Sequence, residues 1–248
     1  MLASFLVVPR PDGFLLQVAR DIAAPIAKRL SMYVLRSKVK VSDAGWAQFG
    51  VWGRDAGARL RSAGFDVPAN AMGVTGTNDR SVVALGDGRF LVLAPPEIAA
   101  LFASGFAEVA PEWWTLADVR AGIPQVSLAT QDHFVPQMAN FELIGGVDFK
   151  KGCYPGQEIV ARSQYLGKLK RRMYRGTVQA SSAPVPGQDL FSGEPQAIGT
   201  IVSAAPRPEG GYEFLAVMQS SAAEANNELR IGAPDGPVAH LASLPYAV

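Results

Sequence analysis

Beyond Gly167 the sequence reads as a string of short strands. Arg171 to Val178, Ala197 to Ala204, Tyr212 to Val217 and Val238 to Leu244 are strand-like runs set apart by Pro, Gly, Ser and Asn clusters. No helical pattern of useful length interrupts them, so residues 167–248 are expected to form a small all-β domain. The rest of the 248-residue chain must then supply one or two further domains, at ~100 to 200 residues each.

Upstream the texture is mixed. Leu2 to Val8 and Phe14 to Val18, joined by Pro11-Asp12-Gly13, read as a hairpin. An apolar strand starting at residue 2 is expected to have a partner strand or a further piece of chain before it. Asp21 as N-cap, with Ile22, Ile26, Leu30 and Tyr33/Val34 at helical spacing, predicts an amphipathic helix over 21–36. Residues 37–110 read as an α+β unit of their own. It comprises a half-wet strand at Lys38 to Val41, a short helix at Ala56 to Ala63, a hairpin and a helix from Pro96 to Val109. The hairpin joins Ser81–Leu85 to Arg89–Leu93 through Gly86-Asp87-Gly88. Between 111 and 150, Thr115 to Val119 suggests a strand, Ala121 to Pro124 a turn and Gln131 to Phe141 a loop.

Composition excludes several classes. The longest apolar runs, Phe5 to Pro9 and Phe90 to Pro96, fall far short of the ~20 residues of a membrane span, so no transmembrane helix is expected. One cysteine and two histidines cannot supply a closed zinc or iron-sulfur site, and no metal site is expected. The start lacks a basic segment followed by a long apolar one, which makes a reducing, cytoplasmic setting the default expectation. A formal net charge of +1 gives no general affinity for nucleic acid, though a neutral total leaves room for a local patch. Phosphate-loop, dinucleotide, H-E-x-x-H and G-x-S-x-G motifs are absent.

The only thiol lies in Lys150-Lys151-Gly152-Cys153-Tyr154-Pro155-Gly156-Gln157-Glu158-Ile159-Val160-Ala161-Arg162. Pro155-Gly156 can turn the backbone into a helix starting near Gln157, whose free amides, with Lys150 and Lys151, would favour thiolate over thiol at Cys153. The plainer alternative is a small buried residue at a tight turn. Between Lys150 and Arg175 stand eight basic residues and a single acid, Glu158, while the remainder of the chain is net acidic. That excess suits contact with a carboxylate tail, a phosphate or RNA. It equally suits lysines and arginines guarding an exposed sheet edge. His133 reads as a surface or packed histidine before a general base, and Trp113-Trp114 as a core wedge before a stacking platform.

The string K-G-C-Y-P-G-Q-E-I-V-A-R resembles the signature of the YgfZ-type folate-binding proteins, relatives of the glycine-cleavage T-protein, an aminomethyltransferase. Arg120-Ala121-Gly122-Ile123-Pro124, Val135-Pro136-Gln137-Met138-Ala139-Asn140, Gly146-Val147-Asp148-Phe149 and Gly167-Lys168-Leu169-Lys170-Arg171-Arg172 occur in that family's order. The resemblance implies an α+β, multi-domain, aminomethyltransferase-like fold around a channel for tetrahydrofolate, ending in a small β-barrel. It divides the chain into a first α+β domain from 1–36 and 111–166, a second from 37–110 and the barrel from 167–248. It also implies an accessory role in assembly or repair of iron-sulfur proteins, including tRNA-modifying enzymes, so that folate and iron-sulfur proteins or their assembly machinery are the expected partners. A weak tRNA contact is allowed, and no membrane is involved.

Carried over by residue, Cys153 is the functional thiol, set among Lys151, Gly152, Tyr154, Gly156, Gln157 and Glu158, with Arg162 completing the motif. Arg120, Lys168 and Arg171 are expected to contact tetrahydrofolate or a derivative, the basic run meeting its glutamate tail. Two departures from the transferase branch stand out. Ala3-Ser4 replaces an Asp-Asp pair, and Arg120 replaces a glutamate that contacts the pterin. Both argue against aminomethyl transfer. Members of the family carry several dozen residues before the strand at Leu2, so an upstream segment is expected to be missing here. The rival expectations are a folate-dependent one-carbon transferase and an RNA-binding module using the basic run.

Overall fold

The structure, a computed structural model, describes residues 1–102, 105–152, 156–165, 169–225 and 228–248. It divides into two compact units, Phe5–Val109 and Met1–Ser4 with Ala110–Val248.

In the first unit, β1 (Leu6–Arg10) and β2 (Gly13–Gln17) pair antiparallel, and α1 (Arg20–Ser31) follows. Ile22 and Ile26 are buried, as the helical spacing requires. α1 ends five residues before the expected boundary: Tyr33 and Leu35 stay exposed, so nothing packs there to extend the helix. Lys38 to Val41 is not a strand, for it has no sheet partner and lies mostly in solvent. β3 (Ala47–Trp52), α2 (Ala56–Ser62), β4 (Val74–Gly76), β5 (Ser81–Gly86) and β6 (Arg89–Ala94) complete the unit. The four strands form an antiparallel sheet in the order β3-β6-β5-β4. The expected helix from Pro96 is instead a 3-10 helix, Pro96–Phe102. Phe102 stacks on Phe49 and Phe65 at 5.0 and 5.4 Å between centroids and meets Phe106 edge-on, so the aromatic rings, not a helical stripe, seat this segment.

The second unit contains α3 (Glu112–Ala121), α4 (Gln157–Tyr165), β7 (Arg171–Val178), β8 (Asp189–Phe191), β9 (Gly199–Pro206), β10 (Tyr212–Gln219), α5 (Ser220–Glu224), β11 (Leu229–Ile231) and β12 (Val238–Ala242). The six strands close into a barrel in the order β10-β7-β12-β11-β8-β9. Phe214, Ala216 and Met218 of β10 fill the barrel with Leu190, Ile201 and Leu229. The alternate residues Leu215 and Val217 face outwards with Met173 and Val202, against Val119 of α3 and Phe134. β10 is therefore buried on both faces, which is why its sequence is a continuous apolar run. Gly176 on β7 is fixed by this packing: a Cβ there would come within 2.4 Å of the Phe214 ring.

α3 occupies the stretch where a strand was expected at Thr115 to Val119. Leu116 and Val119, three apart, are both buried, which is a helical and not an alternating pattern. The helix stops at Gly122, whose φ of 66° lets Ile123 N–H return to the Asp118 carbonyl at 3.0 Å. The first residues also differ from expectation. Leu2 to Ser4 are not strand: Leu2 O accepts from Gln131 Nε2 at 2.6 Å, and Asp132 N–H donates to Met1 O at 2.7 Å. Among the described residues no helix is long and apolar enough to cross a membrane.

Candidate functional site

The segment around the thiol is entered from Gly152 and left through Gly156. Cys153 and Tyr154, with Pro155, lie outside the described residues, as does Lys168. Gly152 is exposed, and Gly156 takes a φ of 87°, the left-handed backbone that turns the chain into α4 at Gln157 as the sequence requires. Among the described residues no atom lies within 4 Å of a Cβ built on either glycine. Glu158 sits in the first turn of α4, where a carboxylate complements the helix dipole, and Arg162 follows four residues later on the same exposed side. Lys151 is exposed, Gln157 half-buried.

Buried polar groups key α4 to the barrel. Gln137 and Asn140 are fully buried, on and just after a 3-10 helix at Pro136–Ala139. Gln137 Nε2 donates to Val160 O in α4 at 2.6 Å, and Asn140 Nδ2 donates to Met173 O in β7 at 2.9 Å. Arg172 donates to Gln137 O at 3.0 Å and pairs with Glu142. Tyr246 donates to Gly122 O at 2.7 Å, and burial above all pushes its phenol pKa up. Arg172 is thus an internal strut.

Arg120, at the end of α3, belongs to a separate cluster. Its Nε and Nη2 donate to Oε1 of Glu213 at 3.0 and 2.7 Å. Arg175 of β7 and Arg207, just past β9, approach the same carboxylate at 3.6 and 3.7 Å. Glu213 is 7% exposed, and its hydrogen bond holds the Arg120 guanidinium charged. Of the basic residues on β7, Arg175 lies where the strand pairs with both β10 and β12, while Arg171 and Arg172 pair with β10 alone. Arg172 and Arg175 turn inward to carboxylates, Arg171 is half-buried, and Lys150, Lys151, Arg162 and Lys170 are exposed. His133 is a surface residue whose ring meets Phe134 edge-on, and Trp113 and Trp114 are half-buried on α3. Sequence reasoning missed Glu213 and Arg207; the signal was a lone acid inside the apolar run from Tyr212 to Val217.

No protein-family model matches the chain. It is 30% identical to the tRNA-modifying protein YgfZ of Escherichia coli O17:K52:H18 (strain UMN026 / ExPEC), over 96% of this chain and 75% of that protein. The same figures hold for the tRNA-modifying protein YgfZ of Shigella sonnei (strain Ss046). The chain belongs to the YgfZ family. In fold, this YgfZ-family chain matches the glycine cleavage system aminomethyltransferase T from Bartonella henselae with a TM-score of 0.78, over 100% of this chain and 72% of that one, at 18% identity. The α+β, T-protein-like architecture with a C-terminal barrel is the one expected.

At the two positions where the resemblance implies a departure from the transferase branch, the side chains make internal contacts or none. Ser4 Oγ accepts the N–H of buried Val126 at 3.1 Å, and Ala3 beside it has no polar side chain. Arg120 is a cation already bound to Glu213. Neither position presents a carboxylate of its own.

Proposed function

We propose that this YgfZ-family chain is a tetrahydrofolate-binding accessory protein that supports assembly or repair of iron-sulfur proteins, among them tRNA-modifying enzymes, and performs no one-carbon transfer. One observation carries the reading. The chain matches the aminomethyltransferase fold along its whole length, while Ser4 and Arg120, the positions where the resemblance implies acids in the transferase branch, stand engaged in internal hydrogen bonds. A T-protein-like fold with no carboxylate at either of these two positions favours binding over turnover.

The donor set fits the ligand. Lys151, Arg162 and Arg171 are cations reaching solvent, with Glu158 the one acid among the described motif residues, which suits the two carboxylates of a folate glutamate tail. When bound, the folate would supply a reduced pterin able to hold a one-carbon unit. The chain's own share is to hold the tail with Lys168 and Arg171 and to present Cys153. Lys151 and the first turn of α4 flank it in the sequence. Redox sensor, transient cluster ligand and nucleophile are all chemistries open to a thiol.

The test replaces Cys153 by Ala in cells whose cluster-containing tRNA-modifying enzymes depend on this protein. The expected result is a loss of the modified nucleoside in bulk tRNA at unchanged protein level. An undiminished modification level would remove the thiol from the account. The relatives' name favours a second reading, direct action on tRNA, in which tRNA binding would survive saturation with tetrahydrofolate and weaken steeply with salt.

A further inference from the structure

Four side chains from four stretches of the second unit meet on the outside of the barrel: Glu213 from β10, Arg175 from β7, Arg207 from the end of β9 and Arg120 from α3. The row of outward apolar residues that receives Val119 of α3 ends here, and Glu213 lies beneath the guanidinium groups with little exposure of its own. A buried carboxylate needs compensation, and one well-placed arginine supplies it. Arg120 is that arginine, with both of its bonds made to Oε1. With Glu209 beside Arg207, three guanidinium groups stand against two carboxylates, an excess of one cation. Arg175 and Arg207 stand 3.6 and 3.7 Å away, beyond hydrogen-bond length, and the Nε of each is buried without a partner, as is Oε2 of Glu213. All three arginines still reach solvent, with side chains 43%, 21% and 25% exposed for Arg120, Arg175 and Arg207. Glu209, on the rim and 61% exposed, is 3.6 Å from Arg207.

We infer that this cluster is a phosphate-binding site, in which Glu213 positions three guanidinium groups from below and a phosphate takes those of their N–H donors that reach solvent. A guanidinium carries five N–H donors in a rigid fork, and one carboxylate cannot engage three forks arriving from three elements. A tetrahedral oxyanion offers acceptors in as many directions as there are arginines here, which a second planar carboxylate does not. The phosphate is either the diester of an RNA backbone or the monoester of a small molecule. The inference stands on this geometry and does not depend on the folate reading.

The test uses the full chain at low salt, with inorganic phosphate as probe and the arginine Nε–H signals as readout. Phosphate shifts the signals of Arg120, Arg175 and Arg207 together and saturably, and leaves Arg61 on α2 unmoved. Arg175→Gln and Arg207→Gln each weaken phosphate binding by roughly tenfold. Arg207→Lys, which keeps the charge and the fold but loses the fork, weakens it as well. A short oligoribonucleotide that displaces phosphate, with affinity falling steeply in salt, assigns the site to RNA. Displacement by a nucleoside monophosphate but not by the oligonucleotide assigns it to a small phosphomonoester. Absence of shifts at the three arginines, or unchanged binding in the glutamine and lysine variants that keep the barrel spectrum, would overturn the inference. Tetrahydrofolate carries no phosphate, so titrating it into the same samples reports on the folate reading separately.

Discussion

At the residue scale, Glu213 organises more charge than any other described carboxylate. Three arginines converge on it and only Arg120 hydrogen-bonds it, so its loss strands cations that its presence holds together. Glu213→Ala is expected to cost about 2–3 kcal/mol in urea unfolding, moderated by the partial exposure of Arg120, and Arg207→Ala distinctly less. Tyr246 gives a second residue-level prediction. Its folded pKa is raised, chiefly by burial, so its contribution is fully present below the unfolded phenol pKa near 10 and is lost as pH climbs through the folded value. Unfolding followed from neutral to strongly alkaline pH should show that decline, and Tyr246→Phe should flatten it. The same variant loses the bond to Gly122 O and costs about 1 kcal/mol at neutral pH. The turn after the thiol motif was legible at this scale, since Gly156 takes a positive φ directly before α4. Glu213 was not, because a lone acid in an apolar strand shows its meaning only when α3 and the end of β9 bring arginines to it.

At the element scale, the barrel strands β7, β9, β10 and β12 could be read from the sequence, since each is long and bounded by turn residues. The tight hairpin was legible too: Asp87 and Gly88 both take positive φ, as the Asp-Gly pair requires. β8 and β11, three residues each, gave no pattern, and they exist because closing the barrel supplies partners on both sides. α3 was misread because alternation and a three-residue spacing coincide over so short a window. Its end is set by Gly122, where a Cβ would lie 2.7 Å from the Tyr246 ring and the backbone is left-handed. Gly122→Ala should therefore lower stability by about 2–3 kcal/mol, from strain and from eviction of Tyr246. The midpoint of denaturant unfolding measures it, and a cost below that of a surface substitution would refute the packing described.

At the scale of the whole molecule, the chain has a T-protein-like fold that ends in a closed barrel. Family and fold class were legible because the motifs recur in order from Arg120 to Arg172. The grouping of Met1–Ser4 with Ala110–Val248 was not, because it rests on long-range bonds such as Val126 N–H to Ser4 Oγ. The central claim is that this scaffold still binds reduced folate. Calorimetric titration of the full chain with tetrahydrofolate under anaerobic conditions tests it most directly. The account predicts a saturable heat with one site per chain, weakened when Arg171 is replaced by Gln. A titration without saturable heat, in a chain whose barrel is intact, would contradict it.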